Sequence, residues 1–454
     1  MHAYQNQAVH WSLDRLFSRD MLGVGLLLDP GLGKTRIALT VLSHLFEMNE
    51  IKRALIIAPL RPTYSVWPLQ IDEWGFPFSY INLHGQHKQA MRENCQVEII
   101  NRESLHHVCD IENRWDILVV DEVTSFKTWS AVRTKRLRKM LPSIPKRLTL
   151  TGTPAANCLG DLFSQIFVVD QGEALGKTVT YFRELYMMRG GWQGRQWIMR
   201  KDMQTQLLER INEKVLRMDA ETYLDMPKLV KNDIWCTLPP DCLKQYKKLK
   251  RELYLELASG QVYATCNAAA YTKCRQFANG NVYSTDPETG ETSTHTVHKQ
   301  KLEALKDLAE ELAGKPLLCF YQFKHDIAHI QTDPLFKKAP VIRGGMKAKE
   351  VDQILADWNK GKHRFLFAQC QTVSHGLNMQ YACNDVCYYG LPDPPEVYDQ
   401  SFRRVYRQGV QGLQVRIHRI LMKGTVDEPI LARLTGKGQT QDEFLKALQK
   451  HAGT

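Results

Sequence analysis

Short apolar runs alternate with amphipathic stretches in this chain, and they do so in two separate tracts. In the first tract, residues 23–29, 53–59, 97–100, 116–121 and 147–151 read as buried strands. Helical patterns lie between them, including residues 34–48 and 131–140. Strands apolar on both faces need helices on both sides, so the pattern specifies a doubly wound, parallel α/β sheet. After His298 the alternation returns, with a helix-like stretch at 300–313 and strand-like runs at 317–321, 365–369, 385–389 and 415–422. The intervening residues read differently. Stretches 181–188, 202–216 and 243–257 look helical, strand signals are sparse, and the polar run 284–296 with Asp286-Pro287 and Gly290 reads as a loop. The predicted fold class is therefore α/β, with one parallel-sheet domain over residues 1–168, a helical insert and linker over 169–297, and a second parallel-sheet domain over 298–454. A chain of 454 residues is too long for one ordinary core, which agrees with that division.

Composition narrows the classes of function. Hydrophobic residues make up 43% and charged residues 24%, the balance of a globular protein, and the net charge of +11 favours a polyanionic partner. Eleven cysteines occur without a Cys-x-x-Cys pair, and the nearest sets, Cys383 with Cys387 and Cys236 with Cys242, lack the spacing of a zinc site. Reduced thiols and a cytoplasmic location are expected. The longest apolar runs fall far short of the roughly 20 residues a membrane span needs, and the polar start His2, Gln5, Gln7 is no signal peptide. No membrane role is expected.

Chemistry enters at the end of the first strand. Pro30-Gly31-Leu32-Gly33-Lys34-Thr35 follows it and opens a helix. Glycines let backbone wrap a phosphate, and a helix N-terminus offers it free N–H groups. Lys34 would reach the β- and γ-phosphates of ATP, and the Thr35 hydroxyl would ligate Mg²⁺. Such a glycine pattern also arises by chance, and the strict loop asks for Gly where Leu28 stands. A partner motif is needed. Asp121-Glu122 supplies it at the end of the fourth predicted strand, with Asp121 as the metal-side carboxylate and Glu122 as the base that positions water. Either carboxylate alone could be a helix cap. A third signal, Leu150-Thr151-Gly152-Thr153-Pro154, again follows a strand.

These residues together resemble helicase motifs I, II and III in the form found in the Swi/Snf-like branch of the superfamily 2 (DEAD/DEAH-box-type) helicases, with Asn157 in its place after the third. Tyr4-Gln5 resembles the adenine-reading glutamine motif, and Ala58-Pro59 with Trp67 resembles motif Ia. The resemblance continues through Leu216-Arg217-Met218 and Met226-Pro227-Lys228, then residues 316–323 as motif IV, and Ser374-His375-Gly376-Leu377-Asn378-Met379-Gln380 as motif V. Motif VI is matched by the stretch from Gln400 to Gly409, with Arg404 and Arg407 one helical turn apart. Departures are Leu27-Leu28-Asp29-Pro30 ahead of the glycine loop, Val123-Thr124-Ser125 after the acidic pair, and Val410 where a glutamine is displaced to Gln411.

The resemblance implies two RecA-like domains and an ATP-dependent DNA translocase or helicase of the small phage or bacterial kind. It implies catalytic roles for Lys34, Glu122, Arg404 and Arg407, the two arginines acting on the γ-phosphate. Gln5, Gly31, Gly33, Lys34, Thr35 and Asp121 would bind ATP, and Thr35 and Asp121 would hold Mg²⁺. DNA is the implied partner, contacted through phosphates by Arg61, Lys127 and Asn378, and by Trp192 and Trp197 in the glycine- and arginine-rich loop 189–197. The basic run Arg133, Lys135, Arg136, Arg138, Lys139, Lys146 and Arg147 is a further DNA candidate, although a solvated helix face explains several of these residues. Both tryptophans could equally pack on the insert. Two alternatives stand beside translocation: a strand-separating helicase for forked or branched DNA, and a DNA-binding scaffold without turnover. The compact chain leaves no room for a chromatin-reading module, so a nuclease or a replication or recombination protein is a possible partner for targeting.

Overall fold

A computed structural model describes residues 1–83, 94–152, 159–190, 196–258, 264–285, 292–373, 377–410 and 412–435. The chain divides into two compact units, one built from Met1–Asp225 and one from Met226–Gly436. The first holds helix α1 (Ala3–Phe17), strand β1 (Gly23–Leu28) and helix α2 (Lys34–Glu47). Strands β2 (Ala54–Ala58), β3 (Tyr80–Asn82), β4 (Val97–Asn101), β5 (Ile117–Asp121) and β6 (Lys146–Thr151) follow. Later come the antiparallel hairpin β7 (Met187–Gly190) and β8 (Gln196–Met199), and then β9 (Val215–Met218). Seven of these strands form a parallel sheet in the order β3-β4-β2-β5-β6-β1-β9. Strands β1, β2 and β4 are buried along their whole length, as their uninterrupted apolar runs require.

The second unit contains β10 (Lys228–Cys236), the antiparallel pair β11 (Asn281–Thr285) and β12 (Thr292–Thr296), and β13 (Leu317–Tyr321). It continues with β14 (Val341–Ile342), β15 (Phe365–Gln369), β16 (Asp385–Tyr388) and β17 (Gln414–Met422). Six strands make a second parallel sheet, ordered β10-β17-β16-β13-β15-β14. The α/β class and the two parallel sheets are as the sequence pattern predicts.

The predicted insert over 169–297 is not a separate body. Phe182, Tyr186, Leu207, Leu208 and Ile211 pack with Leu27 and Val215 in one apolar cluster of the first unit. Leu238, Tyr246, Cys274 and Phe277 instead share the core of the second unit with Phe320, Tyr388 and Leu421. The region also carries strands where few were expected. Arg217 interrupts the apolar run of β9, and β10 is polar along one side because it is a sheet edge. The predicted loop 284–296 overlaps the strands β11 and β12, whose Ser and Thr residues hide a period-two pattern. The cysteines described with side chains are free thiols, and no described helix is long and apolar enough to cross a membrane.

His298 is a buried polar residue of the second unit. Its Nε2 donates to the Phe277 carbonyl at 2.8 Å, while Nδ1 is buried without a hydrogen-bond partner. Burial lowers its pKa to about 4. The unfolded chain therefore takes up this proton first, and stability present above about pH 6.5 is lost as pH falls toward 4. Replacing His298 with Gln, which keeps a donor for Phe277, should flatten that part of a melting-temperature profile. An unchanged profile would reject His298 as a source of acid sensitivity.

Candidate functional site

The order β5-β6-β1 at the middle of the first sheet brings three sequence motifs to one edge. All three strands run parallel, so their carboxyl ends lie together, with Leu27 of β1 opposite Thr151 of β6 and Asp121 of β5 opposite Leu150. Parallel α/β sheets bind ligands at such carboxyl ends. The glycine loop leaves β1, the acidic pair leaves β5, and Thr151-Gly152 leaves β6.

The loop turns on Gly31 and Gly33, and Gly33 caps α2 in the left-handed region at φ +79°. The positive φ strains any other residue at Gly33, and a Cβ there would come within 2.4 Å of Gln5 Nε2 and push that amide aside. Gln5 reaches this spot from α1: its Nε2 donates to the Leu32 carbonyl at 3.2 Å, and its Oε1 accepts from the His2 amide. The glutamine expected to read adenine thus also braces the loop. Lys34 begins α2 and its Nζ donates to the Leu28 carbonyl at 2.9 Å. Thr35 follows it, half-buried. Gly152 lies against the loop from β6, and a Cβ there would meet Pro30 Cδ at 3.0 Å.

Asp121 and Glu122 face the loop with unequal partners. Asp121 Oδ2 accepts from the Trp67 indole at 3.2 Å, the ring itself being fully buried. Desolvation, then the adjacent Glu122, raise the Asp121 carboxyl to about 7, against the opposing pull of Lys34. Glu122 adopts φ +52°, a left-handed conformation costing about 1–2 kcal/mol for a side-chain-bearing residue. Its side chain makes no cap hydrogen bond, and Oε2 is buried without a hydrogen-bond partner. The helix-cap reading of Glu122 is thereby removed. An acidic pair kept under desolvation, with one oxygen unanswered, is a donor set suited to a hydrated cation and a water. Among the described residues no cluster of three His, Cys, Asp or Glu groups stands together as a metal site.

In the second unit, the helix Pro395–Phe402 ends before the motif VI arginines. Arg404 and Arg407 stand on the tight turns that follow, rather than on one helix face as predicted, because Arg404 and Val405 hydrogen-bond three residues back instead of four. Arg404 is buried and its Nε donates to the Gln400 carbonyl at 3.2 Å. Arg407 donates to the Arg403 carbonyl and, through Nη1, to Asn378 Oδ1 at 2.7 Å. Desolvation, with Arg403 nearby, lowers its pKa to about 10, so it remains a cation at neutral pH. Motifs V and VI are also joined by the Met379 amide on the Arg404 carbonyl.

The expected DNA contacts are scattered. Arg61 lies in the helix Leu60–Ser65 and Lys127 follows the turn Val123–Phe126, both half-buried, whereas Asn378 is exposed. Trp197 packs on the cluster of Phe182 and Tyr186, with Arg189 and Arg183 at 4.1 and 5.6 Å from its ring centroid. That is the packing alternative, and it accounts for Trp197. Trp192 lies outside the described residues, as do Thr153, Pro154, Asn157, Ser374, His375, Gly376 and Gln411. The basic run divides: Arg147 is a core residue donating to the Leu141 and Ile144 carbonyls, Arg138 stacks on Trp129, and Lys139 pairs with Asp110. Arg133 and Lys135 are exposed on the helix Val132–Met140.

Sequence reading missed the Trp67 contact to Asp121 and the link between Asp29 and Arg217 behind the loop. The first had a signal, since an indole following β2 sits beside β5 once the strand order is known.

A glycine loop on a parallel sheet, faced by an acidic pair, defines a P-loop nucleoside triphosphatase of RecA-like architecture. The SNF2-related domain matches residues 4–280 and the helicase conserved C-terminal domain matches residues 300–409. A putative protein p41 of Acyrthosiphon pisum secondary endosymbiont phage 1 is 30% identical, over 98% of both chains. The putative ATP-dependent helicase/translocase YwqA of Bacillus subtilis is 23% identical over 98% of this chain, which spans 49% of that relative's length. The chain belongs to the SNF2-related family, and it is an ATPase of the helicase type.

Asp121 is half-buried beside Glu122, so ionising it costs the nucleotide-free fold stability. The folded carboxyl titrates near 7 and the unfolded one near 3.8, so the stability it allows at low pH is lost as pH rises through that interval. Asp121→Asn should raise the nucleotide-free melting temperature at pH 8 by a few degrees while weakening Mg-ATP binding. A lowered melting temperature would show that the carboxylate is structural.

Proposed function

We propose that this protein couples ATP hydrolysis to movement along DNA. The observation that carries the proposal is the convergence of Lys34, Asp121 and Glu122 at the carboxyl ends of β1 and β5, the two strands that flank β6, with a buried Glu122 oxygen lacking a partner. A scaffold without turnover has no use for such a strained, unsatisfied acid. Family membership and the net charge of +11 support DNA as the track.

In this reading Gln5 contacts the adenine, and the backbone of Gly31 and Gly33 with Lys34 holds the phosphates. Thr35 and Asp121 would hold Mg²⁺, which would supply positive charge to neutralise the phosphates. Glu122 accepts a hydrogen bond from the attacking water and takes its proton. Arg404 and Arg407 stabilise the charge that develops on the transferred phosphoryl group, with Asn378 orienting Arg407 beforehand. Phosphate contacts by exposed basic residues such as Arg133 and Lys135 hold DNA without reading sequence.

Steady-state ATPase titrated with single-stranded, duplex and forked DNA tests the reading. Stimulation by DNA is expected, falling steeply with salt and nearly independent of sequence; turnover indifferent to every DNA would end the proposal. Triplex displacement without fork unwinding would identify translocation, and unwinding would favour the strand-separating alternative.

Arg407→Ala should lower DNA-stimulated hydrolysis by about 10³-fold or more while nucleotide affinity stays within a few-fold, because the interaction belongs to the transition state. Near-normal turnover would remove Arg407 from catalysis.

A further inference from the structure

Asp29 is an odd residue to find at a triphosphate site. It is the last residue before the glycine loop, and a bare carboxylate there would repel the phosphates that the loop is built to hold. Its environment resolves the difficulty. Asp29 is 5% exposed, its Oδ1 accepts from Arg217 Nη2 at 2.7 Å, and its Oδ2 accepts from the Ala220 amide at 3.2 Å. Arg217 is equally buried, and its Nη1 donates to the Leu27 carbonyl at 2.9 Å. The Asp29 amide donates to the Met218 carbonyl, continuing the ladder that pairs β1 with β9.

The segment after Arg217 then wraps the loop. The turn of helix Ala220–Tyr223 starts on Asp29, Leu224 Cδ1 lies 3.8 Å from where a Cβ on Gly31 would stand, and the Tyr223 ring is 5.3 Å from Tyr4, the neighbour of Gln5. Both ends of this short segment therefore touch elements that touch the nucleotide loop. A loop whose amides face outward to an anion has few internal bonds to fix its shape, and it depends on whatever supports it from behind.

We propose that Arg217 and Asp29 are positioning residues for the nucleotide: the pair fixes the glycine loop to β9 and cancels a negative charge beside the phosphates. The inference rests on the nucleotide-binding reading of the loop. Neither residue contacts the ligand. The arginine acts through the carboxylate and the Leu27 carbonyl, and the acid acts through the register of the loop.

The test is a double-mutant cycle on the full chain, with KM for ATP, kcat and the Kd of a fluorescent ATP analogue measured for folded protein. Arg217→Met leaves an uncompensated carboxylate behind the loop, and it should raise KM and Kd about tenfold with kcat within about twofold. Adding Asp29→Asn to Arg217→Met should recover most of that loss, because the offending charge is gone. A merely structural pair would show no such recovery, and additive losses would overturn the proposal, as would an unchanged KM in Arg217→Met. If Arg217→Met does not fold, Arg217→Lys decides, since an ammonium keeps the charge but cannot span two acceptors in the fork geometry of arginine. A KM raised about threefold supports the proposal, and an unchanged KM overturns it. Lys34→Ala separates the two readings. Analogue binding that survives Lys34→Ala refutes the glycine loop as the nucleotide site, whereas binding that needs Lys34 but ignores Arg217 refutes only the pair.

Discussion

A phosphate-binding loop must turn its backbone amides away from the protein, and so it cannot hold itself together. Everything around Gly31 and Gly33 answers that constraint. Gln5 supports the Leu32 carbonyl from α1, Gly152 closes against Pro30 from β6, and Arg217 ties Leu27 and Asp29 to β9. The supports come from residues 5, 152 and 217, so the loop is an outcome of the whole first sheet rather than of its own short sequence. The parallel order β5-β6-β1-β9 is what makes such distant residues neighbours.

Much of this was legible beforehand, and the unread parts share a physical cause. Strands β1, β2, β4, β5 and β6 are buried on both faces, so continuous apolar runs betray them. Strand β9 has the same burial, but the charge of Arg217 is answered by Asp29, far away in sequence, and no local pattern announces that partnership. Strand β10 is a half-exposed edge, and Lys228, Lys231, Asn232 and Asp233 disguise it as a loop. The acidic pair and glycine loop were readable because their chemistry is local. The chemical detail at Glu122, a left-handed backbone with an unpartnered oxygen, depends on the turn Val123–Phe126 folding beneath it. The expected insert dissolved for a related reason: its helices carry apolar faces but no core of their own, and each half completes the nearer sheet.

The second unit joins its motifs through backbone as much as through side chains. The Trp358 indole donates to the Met379 carbonyl, Asn359 donates to the Asn378 carbonyl, and Arg407 donates to the Asn378 side chain. Asn378 is therefore held on both its main chain and its side chain. A shift of the segment carrying it would be felt at Arg407 directly, through a hydrogen bond 2.7 Å long. This gives motif V a physical route to motif VI that needs no change elsewhere in the unit.

The pairing of β10 with β17 carries a consequence for the chain's birth. Asn232 and His418 are hydrogen-bonded neighbours in the sheet yet stand 186 residues apart along the polypeptide. On a ribosome, β10 emerges long before the strand that will receive it, and an unpaired strand is an invitation to wrong partners. Its lysines, asparagine and aspartate are the kind of residues that discourage an unpaired edge strand from pairing wrongly. By contrast β9 meets β1 as soon as it is made, because β1 is already in place. The two sheets thus differ in how far along the chain an outer strand stands from its partner, and the polar edge strand is the one in the second unit.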